Sequence, residues 1–255
     1  MDKINEKNIW LVIRTLLVVI AIVAVKWVCM DFGFEVMGFN TLFSAIVAAN
    51  VFLMGFLLSG VMADYKESEK IPGEIAAILS GTYDEFYYLN IEKKSNISLK
   101  GIEFTQDLGR LIESWFFEKV KTEEVLKKIS RYYPLFIELE SITQPNYIMR
   151  LKNELGNLKK MIIRAETIRD TSFITSGYVI AMITTALLCI GLEFSHIGTL
   201  LESLFIVGAI SFLMIFLLNL IHDLDNPFSY KEKFSAENIS LHPLSRAISE
   251  MHDEV

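Results

Sequence analysis

Four apolar segments, each long enough to cross a lipid bilayer, constrain the fold of this chain more than any other feature. The hydrocarbon core of a membrane is about 30 Å thick, and an α-helix needs about 20 apolar residues to cross it. Of the 255 residues, 52% are hydrophobic, and they concentrate in Ile9 to Val28, Phe39 to Met62, Thr171 to Leu192 and Thr199 to Ile221. The sequence therefore predicts an all-α membrane protein with four transmembrane helices.

The spacing of the four segments predicts two helical hairpins separated by a polar domain. Short connections at 29–38 and 193–198 join the first span to the second and the third to the fourth. We predict an N-terminal hairpin at 1–62 (spans 9–28 and 39–62) and a C-terminal hairpin at 171–221 (spans 171–192 and 199–221). A cytosolic domain at 63–170 lies between them, and a tail at 222–255 follows.

The distribution of Lys and Arg predicts how the chain is oriented. Neither short connection contains either residue, whereas residues 63–170 contain 17 of them, and others lie near both termini at Lys3, Lys7, Lys231, Lys233 and Arg246. Because positively charged loops stay on the cytoplasmic side, both termini and the middle domain should be cytoplasmic. We expect a multi-pass protein of a prokaryotic plasma membrane. Within the first span, Arg14 and Lys26 are expected to extend to opposite membrane surfaces.

The middle segment is predicted to be a helical bundle that extends the membrane helices into the cytosol. Its 18 acidic and 17 basic residues describe a folded charged domain rather than a basic lipid tether. Apolar residues at three- and four-residue spacing predict helices over 104–119, from Thr122 to near Pro134 or Pro145, and over 146–170. The second span should continue past a kink at Pro72, and residues 90–101 form the best candidate loop.

Motifs for catalysis, cofactor binding and nucleic-acid binding are missing from the sequence. It contains no glycine-rich phosphate loop, no nucleophile elbow and no His-Glu-x-x-His pattern, so we do not expect an enzyme, a cofactor or a metal site. A net charge of −7 argues against a nucleic-acid partner. Cys29 and Cys189 are too few for a disulfide framework and are interpreted as small apolar helix residues, although an oxidising compartment would allow them to pair.

One face of the second span carries the most distinctive pattern. Ala49, Phe52, Phe56 and Ser59 follow one another at spacings of three, four and three residues, which places them on a single face of a helix. In a ring of such helices the phenyl groups would form a hydrophobic constriction, which gates a pore by excluding water. The other interpretation is an ordinary helix-packing seam, which the spacing alone favours.

Two local motifs resemble elements of the bestrophin channels and their distant prokaryotic relatives. Gly55-Phe56-Leu57-Leu58, followed by Tyr65 and Glu74, is similar to the Gly-Phe element that leads from the bestrophin pore helix into the cytosolic domain. After the fourth span, Asn226-Pro227-Phe228 and the later Leu241-His242-Pro243-Leu244 resemble the turn and the Leu-Pro-Leu element of the family's tail. The order of two spans, a helical insertion, two spans and a tail is also that of the family.

The resemblance implies a homopentamer in which five copies of the second span line a pore. Phe52 and Phe56 would match the hydrophobic neck of the family, with Ser59 one turn further in, and Ala49 is added by helical spacing. Animal bestrophins carry an acidic calcium-binding run after Asn-Pro-Phe, whereas this chain has Ser229, Tyr230 and Lys231. Calcium activation is therefore not expected.

Two functions from different classes are compatible with these patterns. The first is a homo-oligomeric ion channel whose partners are other copies of itself, inorganic ions and the lipid bilayer. Asp64, Glu67 and Glu69 at its cytosolic mouth would favour cations, although surface solvation is the commoner role of such residues. The second is a non-conducting membrane adaptor or sensor that acts through its cytosolic helices. A solute transporter would need a polar site at the membrane midplane, which the sequence does not show.

Overall fold

The structure is a computed structural model that describes residues 6–171, 175–230 and 238–253. Among these residues, four stretches of helix are long and apolar enough to cross a membrane. The prediction of an all-α protein with four spans is therefore confirmed. Lys3, Lys231 and Lys233, which contributed to the predicted orientation, lie outside the described residues.

Within the described ranges the chain forms ten helices and two very short strands. In chain order they are α1 (Glu6–Asp31), β1 (Met37–Gly38), α2 (Thr41–Ser68), α3 (Ile71–Lys93), α4 (Asn96–Phe116), α5 (Thr122–Ser130), α6 (Tyr132–Leu139), α7 (Pro145–Asp170), α8 (Thr175–Glu193), β2 (Ser195–His196), α9 (Leu200–Asp225) and α10 (His242–Asp253).

The first of two compact units contains the helices that cover the four predicted spans. It comprises the chain up to Tyr65 and the segment that ends at Pro227. Helix α1 packs against α8 and α9, and α8 packs against α9. One face of α2 joins α8 and α9 in a core built from large apolar side chains, including Met54, Leu57, Val61, Leu188, Leu192, Val207 and Met214.

A close approach between α2 and α8 requires a glycine. A Cβ atom at Gly191 would lie 2.8 Å from a ring carbon of Phe43, closer than real Cβ contacts come. The absence of a side chain at this position therefore lets the two helices pack at the loop end of the hairpins.

The two hairpin connections are joined by a feature that the sequence did not predict. Strands β1 and β2 pair in parallel, with Met37 opposite Ser195 and Gly38 opposite His196. The Met37 N–H donates to the Phe194 carbonyl oxygen at 3.0 Å. Two-residue strands carry no alternation that a sequence pattern can detect, and their pairing arises only once the hairpins have packed.

The second unit is a helical bundle formed by the described residues from Lys66 to Thr171, from Phe228 to Tyr230 and from Asn238 to the end of α10. Helix α3 packs against α4 and α7, and α10 packs against α3 and α4. Its core is rich in aromatic rings, including Tyr83, Phe86, Trp115, Phe116, Tyr132 and Phe136. Burial raises the pKa of the Tyr132 phenol, and its oxygen lies 2.8 Å from that of Thr105.

Several helix boundaries in the second unit differ from the prediction. The loop expected at 90–101 is only Lys94 and Ser95, because the Ser95 hydroxyl accepts a hydrogen bond from Ile97 N–H at 3.2 Å and starts α4 at once. Helix α5 ends at Ser130, before Pro134, which lies in the first turn of α6.

The helix that follows the second span is also interrupted. Glu69 and Lys70 separate α2 from α3, and Pro72 lies in the first turn of α3 instead of kinking a continuous helix. Proline is well tolerated there because N–H groups of the first turn have no partner within the helix. Before the third span, α7 ends at Asp170, and the C-terminal cap Thr171 has an extended backbone.

Candidate functional site

The four residues predicted to face a pore lie together on one exposed face of α2. Ala49 and Ser59 are exposed, and the side chains of Phe52 and Phe56 are 78% and 60% exposed. The opposite face, which includes Met54, is buried in the core of the first unit. The structure therefore brings the predicted residues together and directs them away from the core of the first unit, so they are not a packing seam within this chain.

The exposed face of α2 extends beyond the predicted stripe toward the start of the helix. Ile46 and Leu42 are also exposed, about one and two turns before Ala49 respectively. The two phenylalanines are the bulkiest exposed side chains that the structure describes on this helix, so they would make the narrowest part of any pore that α2 lines.

Asn50 forms a polar cluster inside the apolar part of the first unit. Its amide nitrogen donates to the Thr185 hydroxyl at 2.9 Å, and its amide oxygen accepts from the Thr184 hydroxyl at 2.5 Å. The Met214 sulfur lies 3.6 Å from the same nitrogen. The structure thus places a polar cluster among the spans, and its side chains hydrogen-bond with one another.

The sequence contained part of the signal for this cluster. Asn50 is an amide in the middle of the second span, whereas Asn40 stands at its start, and Thr184 and Thr185 are adjacent in the third. Which of these residues would meet could not be derived, because it depends on how α2 and α8 are rotated about their axes.

Lys26, expected to extend to a membrane surface, reaches residues of both hairpin connections. It is fully buried, and its ammonium group donates to Glu35 Oε1 at 2.7 Å and to the carbonyl oxygens of Glu193 at 3.2 Å and Ser195 at 2.5 Å. His196 Nδ1 lies 2.8 Å from the other Glu35 oxygen. The residues join the two hairpin connections through side chains at the same place where β1 and β2 pair.

The environment of Glu35 sets its protonation state. Burial alone would raise the pKa of this carboxyl, but hydrogen bonds to Lys26 and His196, together with their charges, outweigh burial and hold the pKa below its ordinary value. Sequence reasoning missed this cluster because its members come from four separate elements, and no spacing rule connects Lys26 with residues about 170 positions later.

The three acidic residues predicted for a cytosolic mouth do not share one environment. Asp64 is half-buried on α2, whereas Glu67 is exposed near the end of that helix and Glu69 is exposed in the turn that follows. Both oxygens of Glu67 accept hydrogen bonds from Arg164, at 2.8 and 2.6 Å. The charge of Glu67 is therefore balanced within the chain.

The residues of the predicted tail turn end one helix and begin the packing of the tail. Asn226 is the C-terminal cap of α9, and Pro227 follows it. Phe228 is buried in the second unit, with its ring centroid 5.5 Å from that of Phe116. In the same unit α10 is held by Gln106, which donates to the Met251 carbonyl oxygen at 2.6 Å, and by Ser245, which donates to Glu113 at 2.5 Å.

Within the described residues no three His, Cys, Asp or Glu side chains are grouped so that they could hold a metal ion. Cys29 and Cys189 are both free, and the Cys189 sulfur lies 3.8 Å from the Ser211 hydroxyl.

Comparison with known proteins gives a clear result for the fold. No protein-family model and no curated protein matches the sequence. A solved variant of a bacterial bestrophin homologue from Klebsiella pneumoniae, however, aligns with a TM-score of 0.77 over 95% of this chain and 96% of its own, at 13% identity. The chain has the bestrophin fold.

Further solved structures agree. The Klebsiella bestrophin homologue phased with zinc aligns over 96% of this chain and 97% of its own, with a TM-score of 0.72 at 14% identity. A chain described only as a membrane protein covers 98% of both chains with a TM-score of 0.73, also at 14% identity. The bestrophin fold, predicted from two short motifs and the order of spans, is thus confirmed over nearly the whole chain.

Proposed function

We propose that this chain forms a homo-oligomeric, pentameric ion channel in a prokaryotic plasma membrane, with α2 lining the pore and both termini in the cytoplasm. The observation that carries the proposal is the exposed face of α2, which presents Phe52 and Phe56 away from a well-packed protomer. The bestrophin fold supports it, because solved bacterial bestrophin homologues share this fold and the family that the sequence motifs resemble consists of channels.

The pore would be gated by hydrophobic exclusion of water. Five copies of α2 would place rings of phenyl groups from Phe52 and Phe56 around an axis, with the smaller Ala49 and Ser59 at either end of the constriction. Ions cross such a constriction only when it is wetted, so a small rotation of α2 would change conductance strongly.

The charges near the cytosolic end of α2 give a weaker cation preference than the sequence suggests. Arg164 forms a two-point salt bridge with Glu67, so Glu67 contributes little net negative charge to a ring of carboxylates. Glu69 remains exposed, and Asp64 is half-buried. We expect selectivity among inorganic ions to depend more on the constriction than on these three residues.

The first experiment is the mass of the detergent-solubilised particle, corrected for bound detergent. Five protomers are expected. A monomer or dimer would rule out a five-fold pore and would favour the alternative function, a non-conducting adaptor that acts through the second unit.

The second experiment tests the constriction directly. Replacement of Phe52 and Phe56 together by Ala should produce a leak current in planar bilayers, because the large phenyl groups no longer exclude water. A matched control is the paired replacement of Leu201 and Phe205, two exposed side chains four residues apart on α9, which should leave conductance unchanged. Unchanged conductance of the α2 variant in an intact pentamer, or an equal leak in the control, would contradict the proposed constriction.

A further inference from the structure

Glu193 is a buried carboxyl at the loop end of the hairpins. It is the last residue of α8, and it lies at the end of the first unit where the two hairpin connections meet. The residue is only 8% exposed, and among the described residues its Oε2 atom has no hydrogen-bond partner. A buried ionised carboxylate in this position is strongly unfavourable unless something neutralises it.

The neighbouring donors are already engaged. A lysine ammonium group has three N–H donors, and those of Lys26 are directed at Glu35, at the Glu193 backbone carbonyl and at the Ser195 backbone carbonyl. The Ser195 hydroxyl donates to the Gly191 carbonyl at 2.7 Å. None of these groups has a donor left for the Glu193 side chain.

The charges around Glu193 lead to the same conclusion. Lys26 from α1 attracts the carboxylate, but Glu35 from the first connection already balances its charge. His196 from β2 contacts Glu35 and is mostly exposed, whereas Cys189 lies one turn earlier on α8 and would repel Glu193 if it ionised. Lys26 carries one positive charge, so it cannot balance Glu35 and an ionised Glu193 together.

We propose that Glu193 is a proton-binding site, occupied by a proton in the folded protein at neutral pH. Release of the proton creates a second carboxylate that competes with Glu35 for Lys26. Since Lys26 and Glu35 join the two hairpin connections, this competition loosens the pairing of β1 with β2. Strand β1 ends at Gly38, three residues before α2 begins at Thr41.

Infrared spectroscopy of the purified protein tests whether the proton is present. A protonated carboxyl has a carbonyl band distinct from those of carboxylates, and exposed Asp and Glu side chains are ionised at neutral pH. The wild-type protein should show this band at neutral pH and lose it at alkaline pH. The band should be absent in Glu193→Gln, which keeps the shape of the protonated acid, and retained in Glu202→Gln, which alters an exposed carboxylate of the same unit.

A second measurement tests the coupling to Lys26. Hydrogen exchange of the Met37 amide, corrected for the intrinsic effect of pH, should accelerate as the wild-type protein loses the infrared band and should not do so in Glu193→Gln. Absence of the band from the wild-type protein, or its persistence in Glu193→Gln, would overturn the proton site. Exchange that follows the same pH profile in both proteins would overturn the coupling. Neither measurement involves ion conduction, so the outcome is independent of the channel proposal.

Discussion

Asn50 offers the sharpest test of how α2 is held against the rest of the first unit. The perturbation is Asn50→Leu, which keeps the approximate volume of the side chain and removes both hydrogen bonds of its amide. Thr184 loses its contact with Asn50 but retains the Ile180 carbonyl oxygen at 2.8 Å, so its hydroxyl is not left without an acceptor. The loss is therefore confined largely to two side-chain hydrogen bonds.

The expected loss in the free energy of unfolding follows from the measured contributions of hydrogen bonds between membrane helices. Such bonds contribute about 0.6 kcal/mol on average and up to about 1.7 kcal/mol each. For the bonds to Thr184 and Thr185, we expect Asn50→Leu to lower the free energy of unfolding by about 1 to 3 kcal/mol.

The assay is unfolding in mixed micelles, carried out as a double-mutant cycle with Thr184→Val. Because the two side chains share a hydrogen bond, the double variant should be less destabilised than the sum of the single variants, by about 0.5 kcal/mol or more. Thr15→Val, which lies in the α1–α9 contact with Asn219, is the control and should be additive with Asn50→Leu. Additive behaviour of Asn50 and Thr184 would show that their hydrogen bond does not hold α2 in place.

Two further predictions concern the helical bundle and the loop end of the hairpins. In Gly101→Ala the new methyl group would overlap the buried ring of Phe86, so thermal unfolding should show that the second unit loses about 1 to 3 kcal/mol of stability. The control is Gly156→Ala, where nothing lies within 4 Å of the added atom, and this variant should not be destabilised. The folded-state pKa of Glu35 lies below the ordinary value of 4.5, so the carboxylate stabilises the protein above pH 4.5, and this stabilisation is lost as pH falls through the folded-state pKa. The acid-induced fall in melting temperature should therefore be smaller in Glu35→Gln than in the wild-type protein. An equal fall in both proteins would count against the interaction with Lys26.

The candidate site could be predicted only in part, for reasons that differ from residue to residue. Phe52 and Phe56 were recognisable because residues on one helix face recur every three or four positions. Helix α4, in contrast, begins eight residues before the predicted start at Phe104, because the Ser95 cap outweighs the charged, loop-like appearance of the residues before it. The pairing of Glu67 with Arg164 joins two helices nearly a hundred residues apart, and local patterns contain no information about such contacts.

The sequence by itself determined the membrane character of the protein, the number of its spans and the face of α2 that carries the phenylalanines. These properties follow from segment length and helical periodicity, which are local. Only the tertiary structure decided that Lys26 is buried among Glu35, Glu193 and Ser195, and that Asn50 meets two threonines of α8. The rotation and packing of the helices determine which polar groups meet in an apolar environment, and those arrangements depend on the whole unit at once.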